Sequence, residues 1–474
     1  MDVLIISAYM VSMLGIGLYT LRRKKDEADY YVGGRRLGGF SIGCLWMASW
    51  IGGATVVGSV DKAYNIGVAA LWYCGSMAVG CVVFALTATG RIQKMGVKFQ
   101  ALTYPELIEK RYGPAARLMA ASTTFLAYVA YTAGQFLAMA SLLSGILGWD
   151  MLTAIWVSAA SMVVYTAVGG FIAVAITGVA QAIIIVFTLS LLMAPFLLAE
   201  AGGFAAVGRA LPQSFFDPGA WGWARGLGLT VTIILTFFTC MDSYTRCFAA
   251  KSAAKARQGT LLAAVLVGLI ALATLAIGLA AKVLLPDLPA GASTMNAMLS
   301  LLPDGLKGLI IIGLLAAIMS TGSVCLLVAS ANITQDVYRR FVNPRATSKK
   351  LVVLGGFGAV TVGLLSVALA VSRQDIIDVL YIAFTINSAG LFIPTIAAFT
   401  VGKGGAAAGT WSIGLSLLTV VLWYAGQSLH PESSLFAIDP VWPGLAVSAL
   451  VFVTCAKVLP LSLTDKRSIA EFRA

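Results

Sequence analysis

Long apolar runs constrain this chain more than any other feature. Thirteen stretches, at 2–21, 38–60, 66–90, 114–147, 150–168, 171–199, 225–250, 258–285, 306–333, 350–371, 375–401, 405–427 and 441–460, are nearly free of charge. A helix needs about 20 residues to cross a hydrocarbon core about 30 Å thick, so each stretch predicts one transmembrane helix. The runs are continuous rather than alternating, which excludes a membrane β-barrel. Of the 474 residues 59% are hydrophobic and 11% charged, where a soluble domain would hold about 25% charged. The mean hydropathy is +0.91. The predicted fold class is an all-α polytopic membrane protein. Residues 1–21 have no basic n-region and no A-x-A cleavage site, and read as a first span rather than a signal peptide.

The net charge of +12 invites a nucleic-acid reading, but its placement does not. With thirteen spans and the N-terminus outside, 26 of the 32 Lys and Arg fall on the inner side, chiefly in 22–36, 91–117, 246–257 and 339–350. Positive charge selects the cytoplasmic face. The expectation is a multi-pass protein of the cell (inner) membrane, with a cytoplasmic C-terminus. Its basic side meets an anionic lipid leaflet, and no nucleic acid is called for. Connections are short, the longest exterior loop being 200–223. Seven cysteines lie scattered in the spans without a C-x-x-C pair, so neither zinc nor a disulfide framework is indicated. One histidine, His430, and the lack of paired carboxylates, G-x-S-x-G or H-E-x-x-H argue against an enzyme. The sequence does not fix the oligomeric state.

Two spans carry features that lipid does not ask for. "ASWIGGATVVGS" (48–59) places Gly52-Gly53 mid-span. This is either close helix packing by small residues or a discontinuous helix whose freed carbonyls, such as those of Gly52 and Thr55, point at a cation. "LLAAIMSTGSVCLLV" (314–328) holds Ser320, Thr321 and Ser323; Ala317, Ser320 and Thr321 share one helix face. Each hydroxyl can bond back to the carbonyl one turn earlier. Together with the Ala317 carbonyl and two carbonyls from a broken helix, two of them make five neutral oxygens, which suit Na+ better than Ca2+ or Mg2+. Asp242 is the clearest intramembrane charge, marking a pathway or pairing with Arg246 four residues on. Trp46, Trp50, Trp72, Tyr73, Tyr128, Tyr131, Phe237 and Phe238 fall in spans that should line the core. Tyr128 and Tyr131 share a helix face that Gln135 extends.

Four segments carry a family resemblance. "AAIMSTGSVCLLVASANITQDVYRRF" (316–341), "VGGRRLGGFSIGCLWMASWIGGATVVGSVDKAYNIG" (32–67), "YTAVGGFIAVAITGVAQAIII" (165–185) and "YTRCFAAKSAAKARQG" (244–259) resemble signatures of the sodium:solute symporter family. The resemblance implies thirteen helices with a five-plus-five inverted repeat of the leucine-transporter (LeuT) type. Residues 1–37 would be the first helix and a basic loop, and 38–200 the first repeat. Residues 201–401 would be the exterior loop and second repeat, and 402–474 two last helices and a short tail. Broken helices in such repeats place substrate and ion near the midplane. The family's sodium site, carried over, falls on the carbonyls of Gly52, Thr55 and Ala317 and the hydroxyls of Ser320 and Thr321. Gly178 stands where the family usually has an Asp, and Val324 where members with a second sodium site have a hydroxyl, although Ser323 is retained; one Na+ is implied. "SWIGG" is similar to the "TWVGG" of the choline-transporter branch. Trp50 and Tyr131 match two aromatic cage positions there, while Cys240 and Val79 replace two others. The implied function is Na+-coupled symport of a small polar solute (choline-like, amino acid or carboxylate) into the cell by alternating access. The expected substrate contacts are Trp50, Trp72, Tyr131, Gln135, Phe237 and Asp242. A solute-sensing receptor with a symporter-like body, and a proton-coupled or uncoupled transporter of the same fold, are the alternatives.

Overall fold

The computed structural model of the chain describes residues 4–5, 7–9, 11–13, 15, 32–289, 291–372, 376–400, 402–430, 432–436 and 438–473. Among these, nine helices are long and apolar enough to cross a membrane, or ten if a bent pair is counted as one span. The longer helices, in chain order, are α1 (Gly39–Trp50), α2 (Gly53–Ile66), α3 (Leu71–Thr87), α4 (Pro114–Leu147), α5 (Met151–Ile185), α6 (Trp223–Phe237) and α7 (Met241–Ala249). They continue with α8 (Ala253–Leu284), α9 (Asp304–Ala331), α10 (Ser348–Ser372), α11 (Ile376–Thr400), α12 (Ala406–Leu429) and α13 (Val441–Val458). The predicted span at 2–21 lies mostly outside the described residues.

The two spans predicted at 150–168 and 171–199 are the arms of α5, which runs on through Ala194–Glu200. Tyr165 and Thr177 hydrogen-bond through their side-chain oxygens. Twelve residues on a straight helix are about 18 Å apart, beyond the reach of the two side chains. The chain therefore folds back between them.

Burial separates a core from a lipid-facing rim. In α4 and α9 the apolar windows are 89% buried, whereas in α12 and α13 they are 33% and 22% buried. The core helices also hold many buried hydroxyls and amides, among them Thr55, Gln135, Ser320 and Thr321. Most of the other span hydroxyls bond back to the carbonyl four residues earlier, as Thr124 does to Ala120 and Thr274 to Ile270. α8 threads along α1, α2 and α3, and close approach there depends on glycine. A Cβ on Gly278 would sit 2.7 Å from the Val60 carbonyl oxygen and 2.9 Å from the Tyr64 nitrogen, both backbone atoms of α2. Gly278→Val is expected to separate α8 from α2 at an overpacking penalty of about 1–3 kcal/mol. It should read out as a lower melting temperature of the detergent-purified protein, with Gly268→Val, whose site is open, as control.

Candidate functional site

α1 and α2 are one span broken at Ile51-Gly52. Ile51 has φ −91, ψ 76 and Gly52 has φ −89, ψ 175, both outside the helical region. A break in a membrane leaves backbone groups to satisfy. The Ile51 N–H returns to the Met47 carbonyl at 2.8 Å. The Gly53 N–H, at the start of α2, donates to the Gln135 Oε1 on α4 at 3.2 Å. The Thr55 hydroxyl donates to the Trp50 carbonyl at 3.0 Å, and the Thr321 hydroxyl on α9 to the Ala48 carbonyl at 3.0 Å. No described backbone N–H donates to the Ile51 carbonyl.

The expected carbonyl ligands sit as follows. The Gly52 carbonyl accepts the Val56 N–H at 3.0 Å as the first bond of α2. Thr55 lies inside α2, where its carbonyl faces the next turn. In the last turn of α1 the Ala48 carbonyl accepts the Thr321 hydroxyl, while the Ser49 and Ile51 carbonyls accept no described backbone N–H. On α9, Ser320 Oγ donates to the Ala317 carbonyl at 3.0 Å, one position before Thr321. All of these residues are buried. The Ala317 carbonyl, the Ser320 and Thr321 hydroxyls and the Ala48 carbonyl that Thr321 bonds offer neutral oxygens where α1 ends against α9, the donor chemistry of a monovalent alkali cation. Nearby, a Cβ on Gly178 would lie 2.8 Å from Leu45 Cδ2, so Leu45 occupies the space a longer side chain would need. Ser323 bonds back to the Ser320 carbonyl at 3.1 Å.

The second break separates α6 from α7 at Phe238–Cys240, with a bend of 46°. Asp242 sits in the first turn of α7, where the helix dipole favours negative charge. Its carboxylate is only 5% exposed. Oδ2 accepts Trp50 Nε1–H at 3.1 Å and, more weakly, the Ser49 hydroxyl at 3.4 Å. Oδ1 accepts the Tyr128 hydroxyl. The ion pair with Arg246 is not formed: Arg246 Nη1 donates to Thr245 Oγ1, and its Nε and Nη2 meet no protein acceptor. Three neutral donors and a helix terminus thus hold the carboxylate between α1, α4 and α7, without a direct ion pair.

A small cavity of about 40 Å³ opens onto this carboxylate, walled by Trp50, Tyr128, Tyr131, Gln135, Cys240 and Phe384 among others. Beyond it lies a vestibule of about 490 Å³; Tyr73, Leu380 and Phe384 border both and form the partition. The Tyr131 ring packs edge-on to Phe384 and Tyr128, with centroids 5.3 Å apart in each case. The structure brings Trp50, Tyr131, Gln135 and Asp242 together, as the sequence suggested. Phe237 is displaced: it is fully buried behind Trp50, stacked with centroids 3.8 Å apart, and also stacks on Trp46. It fixes the Trp50 ring rather than facing the cavity. Trp72 is elsewhere: its Nε1–H bonds the Pro218 carbonyl at 2.8 Å in the loop before α6, and its ring packs edge-on against Trp223. Val79 is 49% exposed on the outer surface. Phe384 and Cys325 were not anticipated. Neither stands beside a Gly break or a charge in the sequence, and only the three-dimensional packing of α11 and α9 brings them in.

The opposite end is closed. Arg117 pairs with Asp336 at 2.9 Å and Glu109 at 2.7 Å, and Glu109 also pairs with Arg340 at 2.6 Å. The Thr103 hydroxyl donates to Asp336 at 2.6 Å. Between this cluster and Asp242 the interior is filled by Leu102, Met241, Val324, Leu327 and Val328.

Comparison with known proteins matches this geometry to a family. A model described as "Sodium:solute symporter family" matches residues 30–411. The sodium/proline symporter of Haemophilus influenzae is 29% identical, covering 94% of this chain and 92% of its own length. That of Escherichia coli is 26% identical, covering 88% and 86%. The sodium/glucose cotransporter of Vibrio parahaemolyticus is 26% identical, covering 76% and 72%. Among solved structures, a substrate-bound, outward-open Na+-coupled sialic acid symporter superposes with a TM-score of 0.81 at 20% identity, covering 97% of both chains. That likeness shows the fold, all-α and of the leucine-transporter type.

The Gln135 cap can be tested without a ligand. Gln135→Leu strands the Gly53 N–H in an apolar interior, which is expected to destabilise by about 1–3 kcal/mol. Differential scanning fluorimetry should show the drop, and Gln135→Glu, which keeps an acceptor, should recover part of it.

Proposed function

The chain belongs to the sodium:solute symporter family, and from that premise we propose that it carries a small zwitterion of the proline type into the cell together with one Na+. The observation that carries the proposal is the Asp242 carboxylate, buried against Trp50, Ser49 and Tyr128 and not paired with Arg246 one turn on. A buried anion held only by neutral donors favours a cationic ligand group. The secondary ammonium of a proline-like solute fits there, flanked by the rings of Trp50, Tyr131 and Phe384, which attract cations. The Gln135 amide, whose oxygen accepts the Gly53 N–H, lines the cavity and has an N–H2 group of the kind that suits a carboxylate. Five curated relatives bear sodium/proline symporter names and two more are proline transporters of Bacillus subtilis, which supports the same solute class.

Sodium belongs in this reading at the Ala48, Ile51 and Ala317 carbonyls and the Ser320 and Thr321 hydroxyls. Bound there it ties the end of α1 to α9 and replaces the Thr321–Ala48 hydrogen bond as the link between them. Leu45 beside Gly178, and Val324 without a hydroxyl, leave one ion as the stoichiometry. With Na+ in place the arrangement open to the vestibule is favoured. The solute then fills the cavity, the partition of Tyr73, Leu380 and Phe384 closes behind it, and the Arg117–Asp336–Glu109 cluster opens on what we take to be the cytoplasmic side. Coupling is the difference in affinity between the two arrangements.

Two measurements test this. The protein is expected to melt at a higher temperature in Na+ than in K+. Saturation at a hundred times Kd is worth about 2.7 kcal/mol, and the Ser320→Ala, Thr321→Ala double variant should lose the difference. For the solute, Asp242→Asn removes the charge but keeps the shape. Uptake of labelled L-proline into proteoliposomes under a Na+ gradient should fall about ten- to hundredfold in kcat/KM. Unchanged proline uptake by this variant would refute the role given to Asp242. Competition by choline but not proline would move the assignment to a quaternary ammonium, and binding without accumulation would mark a sensor.

A further inference from the structure

Arg246 lies on α7 one helical turn beyond Asp242 and is 1% exposed. Nη1 donates to Thr245 Oγ1 at 3.1 Å, while Nε and Nη2 have no protein acceptor. The guanidinium borders a small void whose other walls, Thr245 apart, are apolar, from Leu102, Met241, Val324 and Leu327 among others. The carboxylates at that end are committed elsewhere. Asp336 is held by Arg117 and Thr103, Glu109 by Arg117 and Arg340, and Glu106 accepts the Leu102 N–H at 2.9 Å. A buried cation with idle donors is unfavourable in any single state, and membrane interiors retain such groups where another state uses them.

The charge balance of the transport cycle supplies that other state. A zwitterion bound at Asp242 brings its ammonium to the carboxylate. When the solute leaves, Asp242 is again bare, and the empty carrier must reorient across the membrane with that charge. Positions i and i+4 on a helix place side chains about 5–6 Å apart at Cβ, within the length of an arginine. Arg246 is thus in register to reach Asp242, and in this structure it is turned away while Asp242 faces Trp50 and Tyr128.

We propose that Arg246 is a positioning residue for the return step: in the empty carrier its guanidinium swings one turn along α7, pairs with Asp242 and neutralises it. A bound ammonium and the Arg246 guanidinium compete for one carboxylate. The core therefore crosses either fully loaded or self-neutralised. This rests on the reading of Asp242 as the ammonium's partner. It concerns only the unloaded half of the cycle.

Exchange and net uptake separate the two halves. Labelled L-proline entering proteoliposomes preloaded with unlabelled proline, with Na+ on both sides, needs only the loaded carrier. Net uptake down a Na+ gradient also needs the empty return. Arg246→Gln is expected to lower net uptake about tenfold or more while exchange stays within about threefold of the parent, and Arg246→Lys should restore net uptake. Equal loss of both modes would overturn the proposal in favour of a structural role, as would unchanged net uptake. Asp242→Asn in the same assay keeps the two readings apart. If it exchanges proline like the parent, the role of Asp242 falls. If its exchange is impaired while Arg246→Gln transports normally, only the return-step role falls.

Discussion

Every backbone polar group inside a bilayer needs a partner, because hydrocarbon supplies none. The interior of this protein is organised around the one place where α1 gives way to α2 and that rule is strained. Four neighbours respond. Gln135 caps the new helix, Thr55 bonds the Trp50 carbonyl, Thr321 reaches across from α9 to Ala48, and the Ile51 N–H folds back on its own helix. Each partner comes from, or is aimed at, a helix lining the central cavity. The break therefore fixes the relative placement of α1, α2, α4 and α9, and it leaves a patch of lone pairs that a small cation can use. An unbroken second span would need none of these polar side chains.

A second constraint is electrostatic. Asp242 sits at the start of a short helix after the other break, so both discontinuities converge on one cavity, one offering neutral oxygens and the other a carboxylate. The aromatic rings between them are held in place rather than loose. Trp50 is pinned by its hydrogen bond to Asp242 and by Phe237 stacked behind it, a ring pair worth about 0.5–1.5 kcal/mol beyond its buried area. The molecule is asymmetric about this site. Toward the vestibule a thin partition of three side chains separates the cavity from solvent, while the other direction is sealed by apolar packing and a buried ion-pair cluster. That asymmetry is what an alternating carrier caught on one side requires.

Much of this was written in the sequence, and the parts that were not are instructive. Unbroken apolar runs gave the helices because lipid permits little else. The run Ala317, Ser320, Thr321 stood out because hydroxyls on one face of a buried helix need a reason. The glycine pair marked the break: Gly52 opens α2 by accepting the Val56 N–H, while at the end of α1 the Ala48 carbonyl accepts the Thr321 hydroxyl. Trp72 and Phe237 were expected at the site because membrane aromatics in core spans look alike in one dimension. Only packing tells a ring that faces a cavity from one that stacks behind it or anchors a loop. The fold-back within α5 was legible as two spans, since Gly169-Gly170 separates them, although the backbone stays helical almost throughout.

The central claim is that an alkali ion is held where the end of α1 meets the hydroxyl face of α9. Diffraction from crystals soaked with Tl+, a heavy monovalent substitute for Na+, tests it most directly. The account predicts an anomalous peak enclosed by the carbonyl oxygens of Ala48, Ile51 and Ala317 and the hydroxyls of Ser320 and Thr321, and its disappearance when excess Na+ is added back. A peak at the Gly52 and Thr55 carbonyls instead, or none between these two helices, would contradict it.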